Sequence, residues 1–178
     1  MSPQRNPIIR IPSDRFDSQL ALDWISQCRH LNETGCCPST QPFHDLYLID
    51  CHKRTVVAVK EQTEYVALSY VWGEPNNEDT AYCLHHGEDG NSLLLPDTLP
   101  LVVTDAIIVT KRLGFQYLWV DKFCIAQHQS EVKHRQIMHM DAVYANSELT
   151  IIAAAGEDEN YGLPGVSSRS RMVTPWQK

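Results

Sequence analysis

The chain has 178 residues, 43% of them hydrophobic and 21% charged, which is typical of one globular domain and excludes a fibrous repeat or wholesale disorder. Its formal net charge is −7 and it has no run of basic residues, which argues against a nucleic-acid partner. Because the N-terminus lacks the apolar region of a signal peptide and no apolar stretch approaches the ~20 residues that cross a bilayer, we expect a cytoplasmic protein without a membrane span.

The N-terminal part is predicted to contain one short amphipathic helix. The first sixteen residues hold three prolines and read as an arm. A helix over residues 19–28 follows, with Asp17 or Ser18 as its N-cap. Leu20, Trp24 and Cys28 stand at helical spacing, and Ala21 and Ile25 lie beside them on the apolar face. Residues 32–43 have the composition of a turn-rich loop.

A β-hairpin and a buried strand are predicted next. The runs 46–50 and 55–59 are rich in β-branched and aromatic residues and are separated by four residues, which favours a hairpin. Residues 65–71 are almost continuously apolar, as expected for a strand covered on both faces. The acidic segment 74–91 is expected to be an exposed excursion.

Two helices then alternate with two further strands. Thr104 is the predicted cap of the second helix, and Gly114 its C-terminal stop. A strand over residues 115–121 follows, then a third helix that begins at Ser130, and a strand over residues 149–155. The side chains expected to point inward from the third helix are Ile137, Met140 and Tyr144. This alternation predicts an α/β fold with a mostly parallel sheet flanked by helices.

Ligands of open parallel sheets bind beyond the carboxyl ends of the strands. Residues 69–73, 121–127 and 156–162 occupy these positions in the predicted fold. The residues that we predict to bind a ligand there are Ser69, Tyr70, Trp72, Gly73, Asp121, Cys124 and Gln127.

Each of these residues also has a purely structural interpretation. The Trp72 ring and Gly73 could stack a nucleotide ring, or could be a core tryptophan and a turn glycine. The Asp121 carboxylate could orient a ligand hydroxyl, or accept the backbone amides of the following loop. Cys124 lies between apolar residues, and burial is its default.

Two carboxylates are candidates for catalysis if the domain cleaves a glycosidic bond. Glu157 is the first residue of the acidic run Glu157-Asp158-Glu159 after the last strand, and Glu131 lies at the start of the third helix. Either could stabilise positive charge that develops on a ribose. A solvated loop is the alternative interpretation of the acidic run.

A metal site is not predicted. The six cysteines suit reduced thiols in a chain without a secretory signal. The spacing of Cys28, His30, Cys36 and Cys37 matches no zinc pattern. The glycine-rich motifs of dinucleotide-binding folds and P-loops are missing, as is the motif of serine hydrolases.

The chain resembles the fungal heterokaryon-incompatibility (HET) domain in order from about residue 46 to 166. The blocks that carry the resemblance are residues 65–73, Leu99-Pro100, Asp105-Ala106-Ile107, Leu113-Gly114, 117–121, 124–127, Gln136-Ile137 with Met140 and Tyr144, and 162–165. The departures are Lys122-Phe123, where the family more often has a small polar residue and leucine, and Ala126, where it often has asparagine.

The resemblance implies an effector of non-self recognition between fungal strains that triggers programmed cell death. HET domains are in turn similar to TIR domains, which implies a TIR-like, flavodoxin-like sheet. Several TIR domains assemble and cleave NAD, so the resemblance also implies an NAD glycohydrolase that self-associates, with NAD as substrate or ligand and no required cofactor. By that alignment the catalytic glutamate falls at or beyond Glu157.

Residues 1–45 are therefore interpreted as an N-terminal arm, helix and loop, residues 46–166 as the HET domain, and residues 167–178 as a tail. Two alternatives stay open: a non-catalytic adaptor that self-associates through its helices, and an inactive truncated relative. A regulatory or partner incompatibility protein is a further expected binding partner.

Overall fold

The computed structural model describes residues 14–31, 46–59, 63–73, 85–86, 93–126 and 130–172. Twelve elements lie in these ranges, in the order α1 Ser18–Leu31, β1 Tyr47–Asp50, β2 Thr55–Ala58, β3 Tyr65–Ser69, β4 His85–His86, β5 Leu93–Leu94, α2 Leu101–Arg112, β6 Tyr117–Trp119, α3 Asp121–Cys124, α4 Ser130–Met138, α5 Met140–Ala145 and β7 Leu149–Ile152. No described helix is both long and apolar enough to cross a bilayer.

The N-terminal helix is confirmed, and part of its predicted apolar face packs on the core. The Asp17 carboxylate accepts the N–H groups of Gln19 and Leu20 at 3.0 and 3.1 Å, which is N-cap geometry. The side chains of α1 that pack on the core are Ala21, Leu22 and Ile25, of which Ala21 and Ile25 belong to the predicted face. Trp24 is 40% exposed and Cys28 is exposed, so these two lie at the margin of the packed face.

The predicted hairpin is confirmed, and a buried carboxylate fixes its turn. Strands β1 and β2 pair in antiparallel register from Tyr47 opposite Ala58 to Asp50 opposite Thr55. Asp50 accepts the N–H groups of His52 and Lys53 at 2.9 and 3.0 Å. Burial opposes ionisation of Asp50, but these hydrogen bonds outweigh it and hold its pKa below the usual range.

The sheet is mixed, and the prediction of a mostly parallel sheet was wrong. The strand order is β4-β5-β2-β1-β6-β3-β7, and among the described strands only the pairings of β3 with β6 and with β7 are parallel. The hairpin adds to β6 in antiparallel orientation, with Ile49 opposite Leu118. The Gln116 side chain donates to Asp50 at 2.9 Å beside this pairing. Local patterns could not predict this long-range addition, which covers an otherwise open edge of the parallel strands.

Helix α2 begins before the predicted cap. Its first residue is Leu101, so Thr104 lies inside the helix, and Gly114, with φ +81°, ends it as expected. The N–H group of Val102 donates to the carbonyl of Glu159 at 3.0 Å. The carbonyl of Glu159 thus accepts one of the free N–H groups at the start of α2, a role that was predicted for the Thr104 side chain.

The third predicted helix is two helices, α4 and α5, separated at His139. Ile137 is 45% exposed, so its predicted inward position was wrong, whereas Met140 and Tyr144 do pack against the core. Gln136 is buried instead, and its amide oxygen accepts the N–H of Ala126 at 2.8 Å. An apolar pattern cannot identify a polar side chain whose hydrogen bond is made inside the protein.

The core lies on both faces of the central strands. Four consecutive residues of β3, from Tyr65 to Leu68, are buried, as predicted from their continuous apolar character. Helix α2 contributes Val102, Val103 and Ala106 to the same core. The middle of the sheet is therefore a rigid platform for the loops that follow β3, β6 and β7.

Candidate functional site

Side chains from the loops after β3, β6 and β7 meet at one edge of the sheet. We call this cluster the strand-end site, and its members are Tyr70, Trp72, Asp121, Lys122 and Glu159. Because β3, β6 and β7 are parallel, their carboxyl ends point the same way, and the three loops start close together. The structure thus brings polar side chains together at the edge where the sequence predicts a site.

Trp72 and Asp121 are joined directly. The Trp72 Nε1–H group lies 3.0 Å from Asp121 Oδ2 and 3.2 Å from Oδ1. The backbone N–H of Lys122 donates to the same carboxylate at 2.7 Å. Trp72 nonetheless remains 44% exposed, so a large part of its ring can be reached from solvent. The carboxylate therefore holds the indole in place and leaves an aromatic surface available for stacking.

A buried ion pair forms the other half of the site. The Lys122 ammonium lies 3.0 and 3.1 Å from the two oxygens of Glu159. The two side chains are 10% and 7% exposed. The same ammonium lies 5.7 Å from the centroid of the Trp72 ring, within range of a cation–π contact. Lys122 thus connects the carboxylate of Glu159 with the aromatic ring.

Burial alters the protonation of the site. It raises the pKa of Asp121, and the hydrogen bonds from Lys122 N–H and Trp72 offset the increase only in part. The Tyr70 hydroxyl is buried beside the Asp121 carboxylate, and burial together with the Asp121 charge raises its pKa. Charge on Asp121 is therefore destabilising for the folded state, which is common where a carboxylate serves a ligand.

We predict that this cost appears as a pH dependence of stability. A carboxyl whose pKa is raised on folding keeps its proton in the folded chain at pH values where the unfolded chain has lost it. The contribution of Asp121 to stability therefore falls as pH rises from the ordinary carboxyl pKa through the raised one. Relative to Asp121→Asn, wild-type protein should lose stability between acidic and neutral pH, as measured by urea unfolding over that range. If the stability of the wild-type protein instead increased relative to that of Asp121→Asn as pH rises, the raised pKa of Asp121 would be contradicted.

The loop that carries Glu159 approaches Trp72 closely. Gly73 has φ +86°, and a Cβ atom built on it would lie only 2.9 Å from Cβ of Asp158. A larger residue would push the two loops apart or strain the backbone. Gly73 was predicted to bind a ligand, and its visible role in the structure is this close approach.

The two residues predicted to be catalytic are exposed and make none of the hydrogen bonds or ion pairs of the cluster. Glu157 is exposed, two residues before the buried Glu159. Glu131 is exposed on the first turn of α4. Of the other predicted residues, Ser69 ends β3, and Gln127 lies outside the described residues.

Cys124 is placed as a buried core residue. It is 2% exposed, its sulfur accepts the N–H of Val120 at 3.4 Å, and burial raises the pKa of its thiol to about 12. A thiol of this kind is a poor nucleophile at neutral pH. Cys28 and Cys51 are also free thiols, and the described residues contain no cluster of three metal-ligating side chains. Cys36 and Cys37 lie outside the described residues.

Sequence reasoning did not identify Lys122 as a site residue, and it chose Glu157 rather than Glu159 from the acidic run. Lys122 was noted only as a departure from a family pattern, although a lysine directly after a buried strand and an aspartate is a usable signal. Glu159 is the last of three consecutive acidic residues. Without periodicity in this loop, nothing in the sequence distinguishes the buried acid from the exposed ones.

The fold and the site together define an α/β protein with a partly buried cluster of charged and aromatic side chains at the edge of a mixed sheet. The family model described as "Heterokaryon incompatibility protein (HET)" matches residues 65–178, and the chain therefore belongs to the HET family. This family is associated with heterokaryon incompatibility, and the match confirms the resemblance found in the sequence. No curated protein and no solved structure matches the chain.

Proposed function

We propose that this HET domain is an effector of fungal non-self recognition that triggers programmed cell death by binding and cleaving NAD at the strand-end site. Family membership supports the role in incompatibility. The observation that carries the chemical part is the pair of acidic side chains, Asp121 and Glu159, held by Trp72 and Lys122 where the parallel strands end. The proposal places the domain in the cytoplasm, where NAD is available.

The order of the parallel strands supports a TIR-like core. Strand β3 lies between β6 and β7, so the first parallel strand in the chain is flanked by the second and the third. Flavodoxin-like sheets begin with the same order and bind their ligands beside the first strand. We interpret the antiparallel strands β1, β2, β4 and β5 as an addition to that core.

The charge of the site suits a cationic substrate. Two carboxylates and one ammonium leave a net negative charge among Asp121, Glu159 and Lys122. The nicotinamide ring of NAD is positively charged, and cleavage of its glycosidic bond transfers positive charge to the ribose. The exposed part of the Trp72 ring offers a stacking surface for a planar base.

The reaction that we propose is hydrolysis of the bond between the nicotinamide nitrogen and C1 of the ribose. The bonding electron pair leaves with neutral nicotinamide, water adds to C1, and its proton passes to solvent. Asp121 accepts a ribose hydroxyl and orients the sugar, and Glu159 faces the developing positive charge. Nicotinamide is a good leaving group, so the protein supplies mainly positioning and charge stabilisation. No cofactor is required.

Incubation of the purified protein with NAD tests this proposal. We expect nicotinamide and ADP-ribose to appear in equal amounts, measured by chromatography. Because TIR-like domains act as assemblies, a fusion to an oligomerising tag is the second condition. Absence of nicotinamide release in both conditions would remove the enzymatic claim.

A non-catalytic adaptor that self-associates is the second candidate, and one feature favours it. A groove of about 970 Å³ runs beside the edge strand β7, and most of its lining comes from α1, β7 and residues 161–172. Ile152 at the end of β7 is 71% exposed. An apolar groove along an open strand edge is a typical place for a second copy of a chain to pair.

The variant Ile152→Lys tests whether the chain self-associates through this groove. If it does, the variant should reduce self-association in light scattering, whereas Met138→Lys, which changes a residue 65% exposed on α4, should not. A folded Asp121→Ala protein that still triggers cell death would favour the adaptor over the enzyme.

A further inference from the structure

The acidic loop, residues 156–163, is held by helix α2, although α2 contributes no side chain to the strand-end site. Two contacts join them. The carbonyl of Glu159 accepts the N–H of Val102 at 3.0 Å, and Asp105 Oδ2 accepts the N–H of Leu163 at 2.7 Å. The contacts lie on either side of the segment from Glu159 to Leu163, so both ends of this short segment are attached to the same helix.

Asp105 is an unusual residue for this purpose. It is 1% exposed, and its second oxygen, Oδ1, is buried without a hydrogen bond to any described residue. A buried carboxylate with an unsatisfied oxygen lowers stability, and an apolar side chain at this position would avoid that penalty. The observation requires an explanation beyond packing of the helix.

The backbone of the loop at Gly162 passes very close to the Asp105 carboxylate. Gly162 has φ +78°, and a Cβ atom built on it would lie 2.7 Å from Asp105 Oδ2 and 2.8 Å from Cγ of Leu101. Only glycine permits both this backbone conformation and this approach. Asp105 and Gly162 thus fit each other, and together they set the distance between the loop and α2.

We infer that Asp105 is a positioning residue for the strand-end site: by holding the N–H of Leu163 it fixes the acidic loop so that Glu159 reaches Lys122. Glu159 is buried, and its carboxylate contacts Lys122 through both oxygens, which requires a defined backbone position. The inference concerns the site of the proposed function. Its test needs no substrate, however, so the two can fail independently.

The test is a double-mutant cycle for the ion pair, measured by urea unfolding of wild-type protein, Lys122→Met, Glu159→Gln and the double variant. The cycle is then repeated with Asp105→Ala and with Asp105→Asn. General destabilisation cancels in the cycle, so the coupling energy reports only the geometry of the pair. We expect Asp105→Ala to reduce the coupling by at least half, and Asp105→Asn, which retains an acceptor oxygen, to preserve most of it.

Thr110→Val is the matched control. Thr110 is buried on the same helix, donates to the carbonyl of Ala106 and makes no hydrogen bond to the acidic loop, so its replacement should lower stability and leave the coupling unchanged. The inference would be overturned if Asp105→Ala left the coupling energy unchanged. It would also be overturned if Asp105→Asn or Thr110→Val reduced the coupling energy as much as Asp105→Ala does.

A measurement on unmodified protein covers the case in which Asp105→Ala does not fold. If Asp105 fixes the loop, the amide hydrogens of Leu163 and Val102 should exchange slowly and at similar rates, because one opening event releases both. Exchange of Leu163 that is at least tenfold faster than that of Val102 would show that the Asp105 contact opens by itself, and would overturn the inference.

Discussion

Replacement of Lys122 by methionine is expected to lower the free energy of unfolding by about 3–5 kcal/mol. The variant leaves the Glu159 carboxylate, 7% exposed, without its cationic partner. A buried charge that loses its partner retains its desolvation penalty and forfeits the attraction that offset it. Chemical unfolding in urea at neutral pH measures the loss.

The double variant Lys122→Met/Glu159→Leu separates an ion-pair effect from lost packing. Replacement of both partners by apolar residues removes the uncompensated charge, so most of the stability should return. Lys111→Met on α2 is the control for lysine removal, because Lys111 is exposed, and it should change stability by less than about 0.5 kcal/mol. A loss below about 1 kcal/mol for Lys122→Met would show that the pair is solvated in solution, since exposed pairs contribute about 0–1 kcal/mol.

The second large effect is expected on activity. If the domain cleaves NAD as proposed, Asp121→Asn should reduce kcat/KM by about 100-fold or more, the effect of removing one preorganised polar group from an active site. The fold should remain intact, because the burial that raises the pKa of Asp121 makes its charge unfavourable. Initial rates of nicotinamide release measure the effect.

Glu157→Gln and Glu131→Gln decide which carboxylates act. Both residues are exposed and lie outside the strand-end site, so their variants should keep nearly full activity. A loss in Glu157→Gln that exceeds the loss in Asp121→Asn would return the catalytic role to the residue that the sequence indicated. It would also mean that the acidic loop rearranges when substrate binds.

The sequence predicted those elements whose patterns are local. Strands β3, β6 and β7 were found because their apolar runs are short and continuous, and the hairpin because two β-branched runs flank four residues. The antiparallel addition of β1 to β6 was missed because it joins residues far apart in the chain, such as Ile49 and Leu118. Patterns of one segment carry no information about such partners.

The site residues that the sequence predicted are likewise those with a local signal. Asp121 and Trp72 were predicted because each directly follows a strand whose end could be located in the sequence. Glu159 was not distinguished from its acidic neighbours, and Lys122 was not predicted, because the two residues contact each other across 37 positions of the chain. The orientation of side chains in an irregular loop follows from its anchors, here Val102 and Asp105, and not from the composition of the loop.

The strand order means that the centre of the sheet can form only late in synthesis. Strand β3 needs β7 as a neighbour, and in their register Val66 lies opposite Leu149. During synthesis the hairpin of β1 and β2 can form early, but the centre of the sheet must wait until β7 has left the ribosome. Contacts of such long sequence separation slow folding and leave apolar strands uncovered meanwhile. For a domain proposed to kill the cell that makes it, this order ensures that the strand-end site is assembled only after almost all of residues 65–159 have been synthesised.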